Sequence, residues 1–155
     1  MDTGLNPGSR RAAHVQSMRV YWEDTDAGGV VFYANYLKYF ERARTEWLRA
    51  LGFSQETLRL HADPAQRAMF VVTDTQVRYL RPARLDDWIE VNVEVLRAGA
   101  ASLEIRQQAT RQLELLAAGT IRIGCVAPDT MRPRRMPDSL QQALARQACD
   151  PLNPI

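Results

Sequence analysis

The spacing of apolar and polar residues changes several times along the chain, and each change marks an element. Met18, Val20 and Trp22 alternate with Arg19, Tyr21 and Glu23, the two-residue period of a half-buried strand. The alternation stops at Glu23-Asp24-Thr25-Asp26-Ala27-Gly28-Gly29, a polar, glycine-rich stretch that reads as a loop. Its paired glycines allow a tight turn or a positive φ. From Ala34 the period becomes helical. Leu37, Phe40, Ala43, Trp47, Leu48 and Leu51 recur at three- and four-residue steps, while Lys38, Glu41, Arg42, Glu46 and Arg49 fill most of the other positions. Arg42 and Glu46 are spaced for an ion pair one turn apart. Gly52 reads as the left-handed residue that ends the helix, with Phe53 folding back onto it. Trp22, Phe40 and Trp47 read as core aromatics.

Residues 54–68 form a polar connector with one short helix over 56–60. Strand-type runs follow. Residues 70–79 are rich in Val and Thr, and Arg81-Pro82-Ala83-Arg84 ends the run because proline cannot donate to a ladder. Ile89, Val91, Val93 and Val95 alternate with polar residues, as do Leu103 with Ile105 and Ile121 with Ile123 and Cys125. Connections this short predict an antiparallel meander. A last amphipathic helix is expected over 139–147. The fold class is therefore α+β: one long buried helix against a curved antiparallel sheet. The open edges of such a sheet favour pairing between subunits, so a dimer is expected.

Composition narrows the function classes. At 155 residues with 46% hydrophobic side chains, the chain is one core-forming domain. No apolar run reaches the ~20 residues of a membrane-spanning helix. The net charge of +2 is far from a nucleic-acid-binding balance. Nineteen of the 20 basic residues are Arg; the exception is Lys38. Cys125 and Cys149 form neither a disulfide framework nor a metal-binding pair, so no metal is expected. Residues 1–17 read as a polar leader without the apolar core of a signal peptide, residues 18–148 as the domain and residues 149–155 as a tail. A cytoplasmic location follows as the expectation. His14, in the leader, and His61, in the connector, read as solvated.

The segment with the most chemistry is the loop of residues 23–29 and the apolar, aromatic run that carries it into the main helix. A helix start offers unpaired N–H groups and a partial positive charge, which suit a developing oxyanion. A carboxylate just upstream supplies a base or nucleophile, and the two together suffice to hydrolyse an activated acyl group. On residue types alone, an Asp before a glycine turn is more often a turn or capping residue, and Glu23 and Asp24 read that way.

A longer signature favours the catalytic reading for Asp26. Arg19-Val20, Thr25-Asp26 and Gly29-Val30-Val31-Phe32 resemble the active-site signature of the 4-hydroxybenzoyl-CoA thioesterase family. With Asn35-Tyr36-Leu37 and the run from Glu41 to Glu46, the string is similar to the Tol-Pal-associated acyl-CoA thioesterase branch. The resemblance returns in the segment from Tyr79 to Asp87 and runs from about residue 18 to about residue 144. It implies a hotdog fold, a long central helix wrapped by an antiparallel sheet, and hydrolysis of acyl-CoA to free acid and CoA with no cofactor. It also implies a homodimer or homotetramer. Within it, Asp26 is the catalytic carboxylate, as general base or nucleophile. The Tyr33 backbone N–H polarises the thioester carbonyl, Gly29 permits close approach of substrate, and Arg132 and Arg134 contact the CoA phosphates. Many relatives carry His where Tyr33 stands, which leaves only the backbone to act there. The turn at Ala98-Gly99-Ala100-Ala101 lacks the basic contacts that relatives use, which brings in acyl carrier protein as an alternative carrier. The competing class is a module that binds acyl-CoA or an acyl carrier without turnover.

Overall fold

The computed structural model describes residues 12–148. Residues 1–11 of the expected leader and the whole expected tail of residues 149–155, Cys149 among them, lie outside the described residues. Five strands, β1 (His14–Arg19), β2 (Met69–Tyr79), β3 (Trp88–Ala98), β4 (Ser102–Arg111) and β5 (Glu114–Val126), form one antiparallel sheet in the order β1-β3-β4-β5-β2. Helix α1 (Asn35–Ala50) packs across it, followed by the short α2 (Gln55–Arg59), and α3 (Asp138–Gln147) is the last helix among the described residues. This is the α+β hotdog arrangement the sequence implies. Only β3, β4 and β5 form a meander. The predicted sequential pairing fails at β2, which joins the far side of β5, leaving β1 and β2 as the two edges.

β1 begins at His14, inside the expected leader. Its inward positions are His14, Gln16 and Met18, and the first two are polar, so the apolar alternation starts late. Pairing with β3, from His14 opposite Val93 to Arg19 opposite Trp88, sets the strand. His14 is accordingly half-buried and lies 3.2 Å from the Gln16 amide oxygen. The other end of the alternation misleads too. Trp22 is 81% exposed, because the strand ends at Arg19 and residues 22–24 wind into a single 3₁₀ turn. It is not a core residue.

α1 ends as its sequence predicts. Gly52 sits at φ +91°, its N–H bonds Arg49 O at 2.9 Å, and the Phe53 N–H reaches Leu48 O at 2.9 Å. These are the two bonds of a Schellman motif. The buried face is Tyr36, Tyr39, Phe40, Ala43, Trp47 and Leu48. It is rotated from the predicted stripe, since two tyrosines carry the first turn inward and Leu37 is left exposed. Glu46 pairs with Arg49 rather than Arg42, whose guanidinium lies over the Tyr39 ring. Under the helix the fully buried Gln107 amide donates to Phe40 O at 3.1 Å and accepts from Arg44 Nη1 at 3.0 Å. A half-buried arginine at the core is satisfied in this way.

Candidate active site

The loop between β1 and α1 folds back on itself. Asp26 N–H donates to Val30 O at 2.9 Å, and Gly29 N–H donates to Asp26 O at 3.0 Å. The Asp26 side chain accepts from Gly28 N–H at 2.8 Å, the Asx turn that an Asp before glycine favours. This bond engages Oδ1 and leaves the carboxylate exposed to solvent. At Gly28 a Cβ would stand 3.1 Å from Asp26 Oδ1, so a side chain there would press on the carboxylate and shift it by a few tenths of an ångström. Gly29 has a conformational reason to be glycine, at φ +77°. Nothing lies within 4 Å of where its Cβ would be. Gly29→Ala is therefore expected to cost about 1–2 kcal/mol through backbone strain alone, read as a fall in the denaturant midpoint at unchanged m.

The second half of the loop is tied down by residues distant in sequence. Val31 N–H donates to Ala83 O at 2.9 Å, and Ala83 N–H donates to the Tyr36 hydroxyl at 3.3 Å. Burial pushes the Tyr36 phenol above its ordinary pKa. The segment carrying Ala83 is braced by Arg111, which meets Asp87 at 2.6 Å, Glu114 at 2.7 Å and Pro82 O at 3.2 Å. Partial burial raises the Asp87 carboxyl, but bonds from Arg84 N–H and Arg111 outweigh it and hold the group below its usual range. Residues 79–87 thus serve as the wall that the loop leans on. Sequence reasoning singled out this segment but missed Arg111. Its signal, a basic residue at the end of β4, gains meaning only once the sheet brings it to Asp87.

At the helix start, Ala34 provides no side-chain cap. The Tyr33 N–H, just before it, finds no acceptor among the described residues, while Tyr33 O accepts from the Tyr79 hydroxyl at 2.9 Å. Asp26 and Gly29 line one cleft of about 470 Å³ together with Trp22 and Leu85. Tyr33 lines a neighbouring depression of about 260 Å³ with Val30, Val31, Tyr36 and Tyr79. The chain passes from one to the other between Gly29 and Val30. One strap thus carries a solvated carboxylate, a left-handed glycine and an unpaired N–H at an uncapped helix start.

Elsewhere the expected site residues are not grouped so closely. Arg134 Nη1 donates to Pro64 O at 2.9 Å and Arg67 O at 2.8 Å, so its guanidinium braces the 64–67 turn. Arg132 is exposed. His61 is exposed, and its Nδ1 accepts from Asp63 N–H at 3.1 Å. Burial raises the Cys125 thiol, as expected of an inert core cysteine. Asp24, by contrast, is 5% exposed where a solvated or capping group was expected. It does cap the 3₁₀ turn, accepting from Tyr21 N–H at 2.8 Å. Among the described residues no helix is long and apolar enough to cross a membrane.

One long helix laid across an antiparallel sheet and entered through a glycine-bearing strap is the architecture of a thioesterase-like protein. Residues 20–144 match the model of the thioesterase-like superfamily, and the chain belongs to that family. Among its relatives, the acyl-CoA thioester hydrolase YbgC of Escherichia coli is 44% identical over 124 residues, covering 79% of this chain and 89% of that protein. The acyl-CoA thioesterase YbgC of Haemophilus influenzae is 41% identical over 126 residues, 81% of this chain and 90% of that protein. Among solved structures, a probable thioesterase from Bartonella henselae superposes with a TM-score of 0.74 at 31% identity, covering 80% of this chain and 98% of that one.

Proposed function

We propose that the protein hydrolyses acyl-CoA thioesters to the free acid and CoA. The observation that carries the reading is the common strap holding the solvated Asp26 carboxylate and the unpaired Tyr33 N–H. In the reaction, the thioester carbonyl oxygen accepts from Tyr33 N–H, and the positive end of α1 stabilises the charge that builds on it. Asp26 either takes a proton from water, which then attacks the carbonyl carbon, or attacks that carbon itself. In the first route the new C–O bond comes from water, the C–S bond breaks, and the CoA thiolate leaves and is protonated, giving the free acid directly. In the second, Asp26 forms the C–O bond and the thiolate leaves in the same way, giving a mixed anhydride; water then adds to it, the anhydride C–O bond breaks, and the free acid and the Asp26 carboxylate are released. The similarity to relatives named acyl-CoA thioesterases supports CoA as the carrier.

Both clefts are open in the single chain, and Tyr79 beside them lies at the end of edge strand β2. A homodimer or homotetramer that covers this edge would close the site against water. Arg132, exposed, suits contact with a CoA phosphate, and Arg134 stands two residues on in the sequence. The reading is tested by measuring thiol release from a panel of acyl-CoAs of increasing chain length, with the matching acyl carrier protein esters alongside. Release from the CoA esters supports it. Tight binding without release from either carrier would favour a binding module instead.

A further inference from the structure

Of the four buried polar side chains among the described residues, two, Asp24 and Asn35, meet at the strap. Asp24 Oδ1 accepts from Asn35 Nδ2 at 2.9 Å, and Oδ2 accepts from Tyr21 N–H at 2.8 Å. Its backbone carbonyl accepts from Phe32 N–H at 2.9 Å, and Phe32 O accepts from Asn35 N–H at 2.8 Å. One residue thus clasps the entrance of the strap, its exit and the first residue of α1. The Tyr39 phenol lies beside this cluster, where burial and the Asp24 carboxylate raise its pKa.

The arrangement goes beyond what a cap requires. Asn or Ser satisfies a capping position without a charge, whereas a carboxylate 5% exposed and met by neutral donors is costly to desolvate. Among the described residues Asp24 makes no ion pair. What the clasp secures is separation along the strap. Asp26 is two residues beyond Asp24, and Tyr33 is one residue beyond Phe32. If the clasp opens, the 3₁₀ turn and the helix start are free to move apart, and the carboxylate and the N–H lose their common frame. A displacement of about 1 Å in such a pair costs on the order of 100-fold in rate.

We propose that Asp24 and Asn35 form a latch that holds Asp26 and the Tyr33 N–H in register, so that both act as positioning residues for thioester cleavage. This rests on the reading of Asp26 given above. The test exchanges the two side chains. Asn35→Asp sets two carboxylates against each other. It is expected to lower kcat by roughly 10–100-fold with KM within about threefold, and to speed amide hydrogen exchange over residues 22–34. Adding Asp24→Asn restores the pair with reversed polarity. The amide introduced at position 24 donates to the carboxylate introduced at position 35, while its oxygen keeps the Tyr21 N–H. The double variant D24N/N35D is expected to regain kcat to within about threefold of wild type and to slow that exchange again.

A double variant no better than N35D alone overturns the latch, as does an N35D protein with wild-type kcat. If N35D does not fold, the double variant decides: wild-type-like kcat supports the latch and a loss overturns it. Asp26→Asn run in parallel separates the two claims. If Asp26→Asn is inactive and N35D fully active, the latch alone fails. If Asp26→Asn keeps full activity, the catalytic reading fails and takes the latch with it.

Discussion

Asp26→Asn is expected to lower kcat for acyl-CoA hydrolysis by roughly 10²–10⁴-fold, the contribution of a positioned acid–base group. The fold should hardly notice. The Asp26 side chain is exposed and its one structural bond, from Gly28 N–H, can be accepted equally well by an amide oxygen. A surface change of this kind stays within about 0.5 kcal/mol, so the melting temperature should move by no more than about 2 °C. Substrate binding should also persist, because the Tyr33 N–H and the helix start are untouched, and the loss should fall on kcat rather than KM. Steady-state thiol release with a parallel melting curve checks all three. Undiminished release by the folded variant would remove Asp26 from the mechanism.

The proposed site was legible in the sequence because its residues lie on one contiguous strap. A carboxylate, two glycines and an aromatic run entering a helix are local facts, and the fold keeps them on a single turn-and-return. The end of α1 was legible for the same reason, since Gly52 and Phe53 bond within their own helix. What escaped is long-range. Polar His14 and Gln16 hold inward positions on β1 because β3 lies beside them. Trp22 leaves the core because a 3₁₀ turn replaces the last strand residues. β2 passes over its sequence neighbour to pair with β5, which no short connection announces. Asp24 was read as an ordinary cap, because the Asn35 amide that completes its burial lies 11 residues away. Arg134, a phosphate contact by the family resemblance, also braces the 64–67 turn, a contact that only the fold reveals. Local pattern thus conveyed the strap and the helix it enters, while the bracing that holds them depends on contacts distant in sequence.

The same dependence sets the largest expected loss of stability. Phe40 is fully buried on the face of α1 that meets the sheet, and its ring presses onto a glycine of interior strand β5. A Cβ at Gly119 would stand 3.0 Å from Phe40 Cε2, 3.2 Å from Gln76 O and 3.3 Å from Val77 Cγ2. Glycine weakens a strand interior, and here it is the absence of a side chain that lets the helix come down. Phe40→Ala is expected to cost about 3–5 kcal/mol, since it removes the ring and leaves a cavity that the helix and sheet can only partly close. Gly119→Ala is expected to cost about 1–3 kcal/mol for the opposite reason, an extra methyl in a filled space. If the ring is the main obstacle, the new methyl fits the cavity left by Phe40→Ala. The double variant should then be less destabilised than the sum of the two by at least about 0.5 kcal/mol, measured by urea denaturation of all four proteins. Strictly additive losses would place the constraint on the β2 backbone at Gln76 rather than on the helix. Because α1 carries the uncapped start beside Tyr33, the depth to which Phe40 seats the helix also fixes where that N–H stands over the sheet. A variant that relieves the packing without restoring this seat should regain stability and still hydrolyse thioesters slowly.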